Sequence, residues 1–330
     1  MEYRRLGKTD LHVSSICLGS WALIGDGTWG PQDRQESLAT VQAAVDAGIN
    51  FFDTAPGYGD GQSEELVGKA LAGLRKDVVI ATKVSRSDLS PADVARSCDR
   101  SLMNLRTDYI DLLQVHWPRP DIPLADTFGA MRRLQEAGKV RAVGVSNFGV
   151  SYLEEMEGAA RLETNQLCYS LLWRPIEREV LPLCRRREIG VLCYSPLCQG
   201  LLTGKFASAD EVPEGRARTR LFAPGRPQSR HHDGGCEAEV FRALKRIAGI
   251  AEDIKQPMSQ VALAWLLAQE GVTAVIAGAR RAAQARDNAR AADLKLAPDV
   301  VAALSEVTEK VKAYAGTNAD LWQTDSRMER

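Results

Sequence analysis

The sequence predicts an α/β chain folded as one (β/α)8 TIM barrel spanning residues 1–330, with an N-terminal β-hairpin and a long loop insertion after strand 7. Three observations lead there. Short apolar, β-branched runs bounded by Gly, Asp or Asn recur eight times, each followed by a stretch whose apolar residues fall at helical spacing. The runs are near-continuously apolar instead of alternating, as strands of a parallel sheet covered on both faces are. A length of 330 residues, 45% of them hydrophobic, suits one large barrel better than a doubly wound sheet with a second domain.

Taken in order, Tyr3–Leu6 and Leu11–Val13 flank Gly7-Lys8-Thr9-Asp10 and read as a hairpin placed to plug the barrel floor. The eight strand runs are Ser15–Leu18, Asn50–Phe52, Val78–Thr82, Ile110–Val115, Ala142–Val145, Leu162–Thr164, Val191–Tyr194 and Thr273–Ile276. Between them, Gln35–Ala47 carries Leu38, Val41 and Val45 on one face and stops at Gly48. Ser63–Leu71 opens with Ser63 as a capping hydroxyl and two glutamates that suit the helix dipole. Ser90-Pro91 puts a cap before a proline at the first helical position of a helix ending near Leu105. Leu124–Ala137 (stopped by Gly138), Ser151–Met156, Glu177–Arg187, Glu237–Ile254 and Ala282–Ala291 complete the helices. The insertion, residues 207–235, is rich in Gly, Pro and Arg and too long for a plain connection, so it reads as a mobile lid. Residues 312–330 read as a polar C-terminal tail.

Composition narrows the function. Lys and Arg number 42 against 43 Asp and Glu, a formal charge of −1, so a basic nucleic-acid binder or a polybasic membrane protein is not expected. Met1 to Asp10 lacks an apolar core, and the longest apolar stretch, Val261–Ala268, is too short to span a bilayer. Seven cysteines without a Cys-x-x-Cys, and four histidines without metal-ligand spacing, point to a reduced, cytoplasmic, metal-free protein. Oligomeric state leaves no trace in the sequence.

Chemistry in such a barrel sits where the strands end. The second run ends at Asp53, with Tyr58 in the following loop; the third ends at Lys83 and the fourth at His116. The fifth ends at Ser146-Asn147, the sixth at Asn165-Gln166 and the seventh at Tyr194-Ser195, while the eighth ends at Gly278 with Arg280 beyond. Taken alone, Asp53 reads as a strand-end cap, Lys83 as a solvated charge, His116 as a satisfied core group and Tyr194 as core packing. Several ionisable types converging on one face are costly unless paired or used. Asp53, Tyr58, Lys83 and His116 together suit delivery of a proton to an oxygen that is gaining negative charge. A tyrosine is a reluctant donor, with a pKa near 10. A neighbouring lysine is expected to lower it, an aspartate to keep that lysine charged, and a histidine to orient a carbonyl.

The stretches Asn50-Phe51-Phe52-Asp53-Thr54-Ala55-Pro56-Gly57-Tyr58-Gly59, Ala81-Thr82-Lys83, Asp111–Pro118 and Gly144-Val145-Ser146-Asn147-Phe148 resemble the aldo-keto reductase superfamily, in order and over nearly the whole chain. The branch it resembles includes general stress proteins and potassium-channel beta-subunit-like members. The resemblance implies Tyr58 as general acid, Lys83 and Asp53 as its tuning partners and His116 as the carbonyl-orienting group. It implies NADPH (as NADP+ after turnover) as cofactor, with NADH accepted. Ser146, Asn147 and Gln166 would then hold the carboxamide and Tyr194 would stack on the nicotinamide, with Ser20, Trp21 and Asp53 nearby. Ser195, Pro196, Leu197, Gly200, Leu201, Gly204 and Lys205 would cover the pyrophosphate. Gly278, Arg280, Gln284 and Asn288 would take the adenosine phosphate end. Asp287 stands where relatives often carry glutamate, and Gly278-Ala279 replaces a lysine-serine clamp, so NADPH preference rests on Arg280.

Trp21, Trp29 and Trp117, with Tyr58 and His116, either line a substrate pocket or pack loops onto the barrel mouth. The expected activity is reduction of a small aldehyde or ketone; the alternative is an NADP(H)-sensing regulatory subunit of low turnover. Gly25-Asp26-Gly27-Thr28-Trp29-Gly30 matches the dinucleotide glycine pattern but neither leaves a strand directly nor opens into a helix, so it is rejected as a Rossmann site.

Overall fold

The computed structural model describes residues 1–158 and 160–330. Its centre is a closed barrel of eight parallel strands in chain order. These are β1 (Ile16–Gly19), β2 (Phe51–Asp53), β3 (Val79–Val84), β4 (Ile110–Val115), β5 (Val140–Ser146), β6 (Thr164–Cys168), β7 (Gly190–Tyr194) and β8 (Val272–Gly278). Two-sided burial explains the apolar runs: β2, β3, β4 and β6 are buried at every position.

The barrel interior is filled by Cys17, Phe51, Val79, Ala81, Leu112, Ala142, Leu192, Ala274 and Ile276, and the hairpin adds Leu6, Leu11 and Val13 to the same cluster. The hairpin, with strands Tyr3–Arg5 and His12–Ser14, therefore closes the floor as expected. Its turn docks tightly: Gly7 is left-handed at φ +54°, and a Cβ there would lie 2.4 Å from the Glu163 carbonyl oxygen. The Glu163 carboxylate accepts the Lys8 backbone N–H at 2.7 Å.

Three local expectations need correction. The sixth strand runs over Thr164–Cys168 instead of Leu162–Thr164, because Asn165 and Gln166 are buried with partners and so continue the strand. Asn165 Nδ2 donates to the Phe148 carbonyl at 2.8 Å. Ser63 does not cap its helix, which spans Gln62–Ala70 after a left-handed Gly61. Its hydroxyl instead lies buried between Ser20 Oγ at 2.7 Å and Thr54 Oγ1 at 2.9 Å. Three further helices are present: Met258–Leu267, Pro298–Val307 and Glu309–Ala315. The first is buried nearly all round, Trp265 included, and so shows no one-sided periodicity. The Ser90 cap stands as read, its hydroxyl accepting the Asp93 N–H.

Residues 207–235 fold over the barrel mouth with Val212, Ala217, Leu221 and Phe222 buried. The tail is held too. Asp320 is fully buried, Trp173 Nε1 donates to the Ala319 carbonyl at 2.9 Å, and Glu329 accepts the Val150 and Ser151 N–H groups. Among the described residues no helix is long and apolar enough to cross a membrane, and no group of three or more His, Cys, Asp or Glu is arranged to hold a metal.

The helix Gln62–Ala70 meets the helix Pro91–Leu105 through Gly68, where a Cβ would lie 2.3 Å from the Leu105 carbonyl oxygen. Alanine is the better helix former by about 1 kcal/mol. Gly68→Ala is nevertheless expected to destabilise the protein by about 1–3 kcal/mol through overpacking. Urea unfolding of the variant checks this, and an unchanged or raised midpoint would contradict the close contact.

Candidate active site

Side chains from the ends of several strands converge on one cavity at the mouth. Asp53 closes β2 and Lys83 lies near the end of β3, its Nζ 2.7 Å from Asp53 Oδ1. The same ammonium donates to the Thr54 carbonyl at 2.9 Å and to the Tyr58 hydroxyl oxygen at 3.4 Å. An ammonium has three N–H groups, and these three acceptors use them all. Tyr58 thus receives a hydrogen bond from Lys83 and keeps its own O–H free for the cavity. Gln166, from β6, donates to Asp53 Oδ2 at 2.8 Å, so the ion pair is fixed from across the barrel.

Around this pair the tyrosine is bracketed by rings. Trp21 stacks on Tyr58 at 5.8 Å between centroids, and His116 stands edge-on at 6.1 Å. Trp29 meets Trp21 edge-on at 5.5 Å. Trp21, Trp29, Tyr58, His116 and Trp117 all line one cavity of about 850 Å³. Asn147, left-handed at φ 62°, donates to the His116 carbonyl at 3.1 Å and accepts from the Tyr194 hydroxyl at 2.9 Å. Ser146 Oγ donates to the Gln166 carbonyl at 3.0 Å.

The electrostatics correct one expectation. Burial pushes the Tyr58 phenol above its ordinary value; Lys83 pulls it down, but Asp53 pushes it back up, and the net shift is upward. The resting phenol is therefore not unusually acidic but a firmly protonated donor. Burial works against the Lys83 charge, yet Asp53 and Tyr58 outweigh it and hold the ammonium above its usual range. Burial, together with the nearby Lys83 and Arg327 cations, lowers His116 to about 3, so the imidazole is neutral.

Most of the expected cofactor residues line the same cavity: Ser20, Trp21, Asp53, Ser146, Asn147, Gln166, Tyr194, Ser195, Pro196, Leu197, Gly200, Lys205, Gly278, Arg280, Gln284 and Asn288. Leu201 and Gly204 are not brought to its wall. Leu201 points into the core, and Gly204 ends a 3₁₀ turn in a left-handed conformation. Arg280 is on the wall, but its guanidinium grips the first loop, donating to the Trp29 carbonyl at 2.7 Å, to Gln32 Oε1 at 2.8 Å and to the Pro31 carbonyl. The rejected glycine segment is a tight turn built on Asp26, which accepts the Thr28 and Trp29 N–H groups and Trp21 Nε1.

Sequence reasoning missed several residues of the wall. Arg216, Arg218 and Arg230 come from the lid, and Trp322, Gln323 and Arg327 from the tail. The arginine richness of the lid was a visible signal for the first three; nothing in the sequence marked the tail residues. Lys205 is lowered by burial and by Arg216 and Arg280, and Arg216 by burial and Arg280. One end of the cavity is thus a cluster of mutually repelling cations. Arg216 Nε, Trp29 Nε1 and Gln199 Oε1, all on side chains of the wall, are buried without a hydrogen-bond partner among the described residues.

The model of the Aldo/keto reductase family matches residues 15–309. The chain is similar to the aldo-keto reductase YhdN of Bacillus subtilis (strain 168), 37% identical over 299 residues, covering 86% of each chain. It is also similar to the NADH-specific methylglyoxal reductase of Escherichia coli (strain K12), 33% identical over 330 residues, covering 93% of this chain and 98% of the relative. Among solved structures it resembles an aldo/keto reductase from Klebsiella pneumoniae in complex with NADP and acetate, with a TM-score of 0.75, 31% identity and 95% of each chain covered.

The depressed His116 makes a thermodynamic statement. The unfolded chain binds its proton near pH 6.5 while the folded chain does not until about 3, so stability falls as pH drops through 6.5. Between pH 7.5 and 5.5 this one group is expected to cost about 1.4 kcal/mol, and His116→Gln to lose that part of the pH dependence. Urea titrations of both proteins at the two pH values measure it; identical pH slopes would mean that the folded imidazole takes up the proton.

Proposed function

The chain belongs to the aldo/keto reductase family, and from that premise we propose that it reduces aldehyde or ketone carbonyls to alcohols with NADPH, Tyr58 giving the proton. The observation that carries this reading is the Tyr58 hydroxyl, 3.4 Å from a buried, paired ammonium and facing a cavity walled by a neutral histidine.

The wall fits the cofactor. The cations Lys205 and Arg216, with Arg218 beside them, match an anionic pyrophosphate and ribose phosphate, and Arg216 Nε, Trp29 Nε1 and Gln199 Oε1, without a partner among the described residues, are polar atoms a ligand would satisfy. Ser146, Asn147 and Gln166 would hold the carboxamide, and Tyr194 would stack on the ring. The lid 207–235 would close its arginines over the phosphates, and Arg280 would favour NADPH while leaving NADH acceptable. When bound, the dihydronicotinamide supplies the hydride.

The remaining chemistry belongs to this chain. His116, neutral and half-buried, donates an N–H to the carbonyl oxygen and fixes its direction without presenting a charge. Tyr58 passes its proton to that oxygen as negative charge develops there. The phenolate left behind is stabilised by Lys83, which already donates to the same oxygen, so the site need not rearrange as the charge appears. Asp53 keeps Lys83 charged throughout. Trp21, Trp29 and Trp117 exclude water from the reacting atoms.

Tyr58→Phe removes only the proton donor and is expected to lower kcat by about 10²–10⁴-fold. Fluorescence titration of NADPH should remain near wild type. Turnover of an aldehyde panel at the wild-type rate would refute the assignment. Arg280→Ala is expected to weaken NADPH more than NADH; equal losses in the same titration would remove Arg280 from the 2′-phosphate site.

A further inference from the structure

Behind the ion pair lies a buried chain of hydroxyls to which the proposed reaction assigns no task. Ser20 follows β1 directly, Thr54 follows β2, and Ser63 belongs to the helix Gln62–Ala70. All three residues are buried. Their hydroxyls touch in series, Thr54 Oγ1 to Ser63 Oγ at 2.9 Å and Ser63 Oγ to Ser20 Oγ at 2.7 Å. The last link fixes the direction of every proton. Ser20 Oγ donates to the Asp53 carbonyl at 2.8 Å, and a carbonyl only accepts, so its single proton is spent there. Ser63 must then donate to Ser20, and Thr54 to Ser63. Bonds aligned in one direction strengthen one another. The chain ends on a backbone carbonyl and contains no ionisable group, so it braces and does not relay a proton.

What it braces is the surroundings of Lys83. The Thr54 carbonyl accepts one ammonium N–H at 2.9 Å and the Tyr58 hydroxyl oxygen accepts another at 3.4 Å. Ser63 grips both residues that supply these acceptors: its hydroxyl takes the Thr54 hydroxyl, and its backbone N–H donates to the Tyr58 carbonyl at 3.2 Å. The helix under it is anchored to β3, since Glu64 accepts Thr82 Oγ1 at 2.7 Å one residue before Lys83. At 3.4 Å the bond from Lys83 to Tyr58 stands at the edge of its range, where a small drift opens it. We propose that Ser63 is a positioning residue for the proton step: by tying the Thr54 carbonyl and the Tyr58 loop to one buried hydroxyl, it sets the separation of the Tyr58 oxygen from Lys83. This rests on the reading of Tyr58 as proton donor. Among the described residues Ser20 lines the cavity and Ser63 and Thr54 do not, so Ser63 acts only through its neighbours.

The test uses three variants of the whole chain, with NADPH and 4-nitrobenzaldehyde as probe. Ser63→Ala and the near-isosteric Thr54→Val delete the same link from opposite sides. Each is expected to lower kcat about tenfold, with KM and NADPH affinity by fluorescence within about twofold of wild type. The solvent deuterium isotope effect on kcat should rise, because the disturbed step moves a proton. Since one link is lost in both, the double variant should fall no further than either single one. Thr54→Ser keeps the hydroxyl and should retain wild-type kcat. Wild-type kcat in Ser63→Ala or Thr54→Val would overturn the inference, as would losses that multiply in the double variant or fall on KM with no change in the isotope effect. If Ser63→Ala does not fold by circular dichroism, the contrast of Thr54→Val with Thr54→Ser decides in the same way. These failures leave the reductase reading intact. A wild type that reduces the probe no faster than Tyr58→Phe would overturn that reading and this inference with it.

Discussion

One ammonium, held where water does not reach it, organises the mouth of this barrel. The Lys83 side chain has no exposed surface and that of Asp53 almost none, so neither charge persists there without the other. Breaking such a pair by removing one partner strands a buried charge, whereas keeping both creates a neutral unit with directed hydrogen bonds. That unit joins β2 to β3, and Gln166 ties it to β6, so its geometry is set by the barrel and not by a loop. Because the ammonium spends its third N–H on the Tyr58 oxygen, the phenol is left with one possible role, that of a donor outward into the cavity.

The balance of forces on Tyr58 alters how the lysine acts. A nearby cation alone would make the phenol acidic, but burial opposes the phenolate and Asp53 cancels part of the cation's field. The phenol therefore rests protonated. The influence of Lys83 is felt when the proton departs, since the hydrogen bond that was weakly useful to a neutral oxygen becomes charge-assisted to an anion. Such an interaction is stronger in the transition state than at rest, which is the condition for accelerating a step and not merely tightening binding. His116 fits the same logic: neutral, it adds no competing positive charge beside Lys83.

Much of this was legible in the sequence because a closed parallel barrel imposes a regular text. Strands buried on both faces leave apolar runs, and the loops after them carry whatever polar groups the chain uses, so Asp53, Lys83 and His116 could be placed at strand ends from pattern alone. What the pattern could not convey lies where periodicity fails. The sixth strand was misplaced because its buried positions include Asn165 and Gln166, whose polarity is satisfied only by partners distant in sequence. The helix Met258–Leu267 is apolar on every side and shows no stripe. The sign of the Tyr58 shift depended on how deeply the ring is buried, which no spacing reveals. Arg216 and Arg327 reach the cavity from irregular segments, where nothing but the folded path places a side chain.

Those two irregular segments are mechanically one. Arg220, in the lid, pairs with Asp233 and donates to the Asn318 carbonyl at 3.0 Å and the Asp320 carbonyl at 3.1 Å, while its own N–H donates to the Leu321 carbonyl at 2.9 Å. Arg218, two residues before, lies over the Trp322 ring at 4.9 Å. The stretch so gripped contains Asp320, the residue that holds Arg327 at Nε and Nη2. The cations at the phosphate-like end and the guanidinium at the carbonyl end therefore hang from a shared frame. A displacement of the lid large enough to withdraw Arg218 from the cavity must either carry residues 318–322 with it or break these contacts, and both disturb the Arg327 guanidinium over the Trp117 ring. The two ends of the cavity, separate in sequence and in chemistry, are in this way kept in register by a buried arginine that touches neither.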